Sequence, residues 1–111
     1  MSWVTDVVLF CSTNENYDDL VNLDGYRELP KAIAEINAWL EEHKHNPLLA
    51  FSELDGSEKA MQANVYGGAF NFLKIDPFIE AVMNAKWNTP ESVQLMIKDE
   101  EENWFTLHEN K

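Results

Sequence analysis

The chain has a single cysteine, Cys11, in 111 residues, which excludes an internal disulfide and leaves the fold to be held by burial and hydrogen bonding. Cations are scarce as well: eight Lys and Arg stand against twenty Asp and Glu, a formal net charge of -12. So few bases cannot form the clustered positive footprint that phosphate backbones and anionic bilayers require, so neither nucleic acid nor membrane is an expected partner. No apolar run approaches the roughly 18 residues of a membrane-spanning helix. The opening MSWVTD has no basic stretch followed by an apolar one, so no signal peptide is expected and the anticipated location is cytoplasmic. Gly-x-Ser-x-Gly, His-Glu-x-x-His, a Walker loop and a Cys pair are all missing. With them go the usual grounds for assigning a catalytic residue, a cofactor or a metal, and none is assigned.

What remains is a chain with 45% hydrophobic content, enough for one core without disulfide or metal staples, and residues 1–111 read as a single domain. The surplus of acid has two readings. It keeps a protein soluble, or it forms a negative surface complementary to a basic partner. The second requires the carboxylates to be gathered on one side of the molecule.

Residues 61–73 form the stretch around which the chain is expected to organise. Ala63, Val65 and Gly67 alternate with Asn64 and Tyr66, as in a strand, while a helix through Gly67 and Gly68 would lose about 1 kcal/mol at each. The glycine pair is expected to end the straight run in a bulge. Two adjacent glycines do not make a dinucleotide fingerprint, which needs spaced glycines opening a helix. Residues 3–11, with the run Val7-Val8-Leu9-Phe10, read as a strand buried on both faces. Cys11 at its end reads as a small core residue, with no histidine near it in sequence.

Residues 12–27 form a polar connection with Tyr17, Asp18, Asp19 and Asp24. It is not a calcium loop, because Asp19 stands where such a loop needs glycine. Helical spacing of Leu29, Ile33, Ile36 and Leu40 predicts a first helix over 29–44, with Pro30 in its first turn. His43 and His45 follow at its negative pole, where cations are favoured. They lack a third ligand nearby in sequence. A strand over 47–54, a turn at 55–58 and the central stretch predict a hairpin. Asp76-Pro77 reads as an N-cap and first turn, opening a second helix that stops near Lys86. Alternation of Val93, Leu95 and Ile97 predicts a strand over 92–98. The acids Asp99, Glu100, Glu101 and Glu102 read as a solvated hairpin turn, and 104–108 as a last strand. The order β-α-β-β-α-β-β predicts an α+β fold of ferredoxin-like type: an antiparallel sheet, two helices on one face, and an additional C-terminal hairpin strand.

The stretches KAMQANVYGGAFNFL, IDPFIEAV and WNTPESVQLMIKDEEENWFTLHE resemble those of small acidic bacterial proteins similar to the immunity proteins of polymorphic, contact-delivered toxins. That resemblance implies a protein-binding toxin inhibitor with a basic partner, possible targets including nuclease domains. Beside it stands the physical argument that an acidic surface is steered into a basic cleft and that Trp and Tyr are common binding anchors. The partner-binding residues expected on these grounds are Tyr17, Asp18, Asp19 and Asp24 in the first connection, with Glu15 beside them, and Asp99, Glu100, Glu101, Glu102 and Trp104 at the last hairpin. The rival expectation is a homodimeric housekeeping or small-ligand-binding domain. An enzyme acting through His108 or Cys11 ranks third.

Overall fold

Alternation of buried and half-buried side chains along β1 (Val4–Ser12) sets the layering of the molecule. Thr5, Val7, Leu9 and Cys11 point into a core, while Val8 and Phe10 point to the opposite face. The computed structural model describes residues 3–13, 15, 30–51 and 63–110. The remaining elements in chain order are α1 (Lys31–Glu42), β2 (Leu49–Ala50), β3 (Ala63–Asn71), α2 (Ile75–Met83), a 3-10 turn (Pro90–Ser92), β4 (Gln94–Asp99) and β5 (Thr106–Glu109). The five strands form one sheet in the order β2-β3-β1-β4-β5, and all four neighbouring pairs are antiparallel. Two helices beside an antiparallel sheet make this an α+β fold, the class expected from the pattern.

β1 is the middle strand, paired along its whole length with β3 and over six residues with β4. The first strand, not the glycine-bearing third, is therefore the axis of the sheet. Its two faces are unequal, contrary to the expectation of double burial. Ala32, Ile33, Ile36 and Leu40 of α1 and Phe78 and Val82 of α2 share one core with Val7, Leu9, Leu95 and Ile97. Both helices therefore cover the same face of the sheet, and no described element covers the other.

Gly67 and Gly68 do not end β3. The strand runs through both, and each is covered by an aromatic ring on its own side. A Cβ on Gly67 would lie 2.7 Å from the Val7 carbonyl oxygen and 2.9 Å from Cζ of Phe51, whereas one on Gly68 would meet Cζ of Phe70 at 3.1 Å. Glycine serves here for close approach within the sheet rather than for a bulge.

Helix boundaries also differ from those expected. Pro30 is the N-cap of α1 rather than a residue of its first turn. α2 opens at Ile75 with Lys74 as N-cap, so Asp76 lies within the first turn, where its charge suits the positive pole of the helix. α1 closes in a Schellman arrangement: Lys44 N–H donates to the Glu41 carbonyl at 2.9 Å and His45 N–H to the Leu40 carbonyl at 2.8 Å. Lys44 takes the left-handed conformation, φ 65°, that the motif requires. Side chains then fasten the helices to the connections around them. The Asn37 Oδ1 accepts Leu48 N–H at 3.0 Å, the Glu35 Oε2 accepts Lys86 N–H at 2.8 Å, and Trp87 Nε1–H donates to the Val82 carbonyl at 2.7 Å.

Candidate functional site

The turn between β4 and β5 carries the acids Asp99, Glu100, Glu101 and Glu102, and its carboxylates are not simply solvated. Asp99 sits opposite Thr5 in the β1–β4 register. Its Oδ1 accepts both the Thr5 hydroxyl at 2.9 Å and the Trp3 indole N–H at 2.5 Å. Glu100 Oε1 accepts Val4 N–H at 3.0 Å. Glu102 Oε1 accepts Asp99 N–H at 2.9 Å, and the turn is closed by Glu102 N–H to the Asp99 carbonyl at 3.0 Å. Asp99 and Glu100 therefore pin the start of β1 to the hairpin, and Glu102 braces the turn itself. Glu101 is exposed and has no hydrogen-bond partner among the described residues.

Anchoring the hairpin in this way shapes a cleft of about 350 Å³ between it and the first turn of α2. Asp76, Asp99, Glu101 and Glu102 bring four carboxylates to its walls, and Trp3, Ile75, Ile79 and Ile97 supply apolar surface. Thr106 and His108 of β5 complete it. Such a hollow suits a long side chain with an apolar stem and a cationic head, which is the build of Lys and Arg. Asp76, Trp3 and Ile79 were not legible as parts of this cleft. They lie far from the hairpin in sequence, and only the β1–β4 register and the placement of α2 bring them together.

The expected partner-binding residues divide. Asp99, Glu101 and Glu102 line the cleft. Glu100 turns to the β1 backbone. Trp104 is 68% exposed on the same hairpin, outside the cleft lining. Tyr17, Asp18, Asp19 and Asp24 lie outside the described residues. Glu15 is a correction: it is only 2% exposed, and its carboxylate accepts Asn88 N–H at 3.0 Å and Thr89 N–H at 2.8 Å. It fastens the connection after α2 and is not a surface acid.

Two further groups bear on chemistry. The Cys11 thiol is pushed up to about 12 from an ordinary 9.0, chiefly by burial and secondarily by the Glu15 carboxylate, against a hydrogen bond with Asn64 that acts the other way. A thiol held protonated in this way is a poor nucleophile. A second hollow of about 350 Å³, lined by His43, Lys44, His45 and Phe72 among others, lies at the C-terminal end of α1. Its His43 ring stacks on Trp39 at 3.9 Å and is joined through Nδ1 to the Trp39 carbonyl at 2.8 Å. Among the described residues no three His, Cys, Asp or Glu are grouped so as to hold a metal ion, and no helix is long and apolar enough to cross a membrane. Compared with protein-family models, curated proteins and solved structures, the chain matches none.

Proposed function

We propose that the protein is a small acidic binding protein that neutralises a basic toxin domain by direct contact, in the manner of an immunity protein, and is not an enzyme. The observation that carries this reading is the cleft of Asp76, Asp99, Glu101 and Glu102 over an apolar floor. A Lys or Arg of the partner would lay its stem on Ile75 and Ile79 and place its head among these carboxylates, of which Asp99 and Glu102 are already held by hydrogen bonds, so less ordering entropy opposes the contact. Trp104, exposed beside the cleft, is the aromatic anchor. Tyr17, Asp18, Asp19 and Asp24 would extend the acidic surface, with Glu100 contributing long-range charge. A cytoplasmic toxin acting on nucleic acid has a basic active cleft, and a chain of net charge -12 would be drawn to it rapidly.

The test is co-expression with the C-terminal domain of the protein encoded immediately upstream, which the proposal requires to be a toxin, followed by binding measurements on the purified pair. Wild-type chain should restore growth, and affinity should fall steeply as salt rises. Glu101→Lys combined with Trp104→Ala should abolish protection and weaken binding about 100-fold while leaving the melting temperature near wild type, since both side chains are exposed. Full protection by the double variant, or no binding to that domain at low salt, would refute the proposal.

A further inference from the structure

The face of the sheet away from the helices is apolar. By the strand registers, Val8 and Phe10 of β1 share it with Val65 of β3, Met96 of β4, Leu107 of β5 and Leu49 of β2. Val65 is buried yet stands apart from the helix-side core, and the Phe51 ring lies over Gly67 on this same side. Large side chains stay uncovered here: Leu49 is 66% exposed, Leu107 46%, Phe51 44% and Phe105 37%. With about 200 Å² for each such side chain fully exposed, these four leave roughly 400 Å² of apolar surface in water, within the size range in which a patch on a monomer is usually functional.

From this face we infer that the protein associates with a second copy of itself, sheet face against sheet face, about a two-fold axis. This inference is independent of the acidic cleft, which lies on the helix side. Two observations select the occupant. The first is size: strands of two to nine residues, at about 3.3 Å per residue and 4.8 Å spacing, make a face of about 480 Å², near the ~600 Å² that each partner contributes at the lower end of standard interfaces. The second is charge. The charged positions on the face are Asp6 and Lys98, direct register partners toward one end, and Glu109 at the β5 edge. One acid and one base side by side make the patch self-complementary under a two-fold rotation, as an isologous interface needs. A highly acidic chain meets a copy of itself most readily where its surplus charge is smallest, and this face carries two acids against one base.

Sedimentation velocity of the full chain from low micromolar to millimolar concentration tests the inference. Wild type should show a concentration-dependent monomer–dimer equilibrium. Leu107→Lys, which places a charge in the patch twice per dimer, should weaken it about 100-fold. Leu107→Thr keeps strand propensity without that charge and should weaken it about 10-fold, with the monomer's circular dichroism unchanged for both. A wild-type monomer throughout that range would overturn the inference, whether the face is then covered by the chain's own residues or reserved for another protein. So would a dimer that survives Leu107→Lys and Leu49→Lys but is lost on substitution in the acidic hairpin.

Discussion

Cys11 and Glu15 show how little of a residue's role follows from its type. In sequence Cys11 is a lone thiol and Glu15 one acid among many. In the structure both are buried, and the charge of Glu15 adds to the effect of burial in holding the thiol protonated. The pH dependence follows from that shift. Between 9.0 and about 12 the unfolded thiol loses its proton while the folded one keeps it. Unfolding then releases a proton, and stability falls as pH rises across that window by up to about 1.4 kcal/mol per unit. Urea denaturation at a series of alkaline pH values should show this decline, and Cys11→Ala should show a shallower one, whatever its effect at neutral pH. A thiol reagent at neutral pH should label wild type only as fast as the protein opens. For Glu15, replacement by Ala leaves the N–H groups of Asn88 and Thr89 without their acceptors. A loss of about 2–4 kcal/mol is expected, and a smaller one for Glu15→Gln, which keeps a carbonyl acceptor. Chemical denaturation at neutral pH decides the order.

At the scale of elements, period carried most of the reading. Alternation at β3 and β4 and the 3.6-residue spacing of α1 were visible because each element buries one side, and burial is what selects those residues, whereas the continuous apolar run of β1 hid the fact that only one of its faces is covered. Boundaries were less visible. The start of α2 was placed by Asp76-Pro77, a strong local signal, but the helix extends one residue before it. The glycine pair in β3 was read through its usual association with bulges, while the reason for it lies in Phe51 and in the Val7 carbonyl, neither a neighbour in sequence. The cleft was hidden for the same cause: the bonds from Trp3 and Thr5 to Asp99 join residues more than ninety positions apart. Two predictions belong here. Gly67→Ala should destabilise by more than about 2 kcal/mol, because the obstructing carbonyl belongs to the middle strand, and Gly68→Ala by clearly less, because the Phe70 ring can shift. Lys44→Gly should stabilise by about 1 kcal/mol, since it relieves a left-handed residue at the end of α1. Thermal melts of the three variants test both statements.

For the whole molecule, acid is not gathered on one side as strictly as a plug-like inhibitor was expected to require. Described carboxylates stand on α1 at Glu35, Glu41 and Glu42, on α2 at Asp76 and Glu80, on the 3-10 turn at Glu91 and on the hairpin, with Glu15 buried and Asp6 and Glu109 on the open sheet face. The open sheet face is the side that carries few of them. Among the described residues the molecule is thus divided between an acidic helix side with the cleft and a largely apolar sheet side that carries Asp6, Lys98 and Glu109. The two proposed associations then respond to salt with opposite signs. Binding of a basic domain at the cleft gains from attraction that salt screens, so its dissociation constant should rise with ionic strength. Pairing of two chains, each of net charge -12, works against long-range repulsion that salt also screens, while the apolar contact itself is little affected, so the dimer should tighten over the same range. Measuring both equilibria on one preparation, from low to moderately high salt, separates the surfaces without any substitution. Opposite slopes are expected. Parallel slopes would mean that one surface serves both contacts, and the division of the molecule into an acidic side and an apolar side would then have no functional meaning.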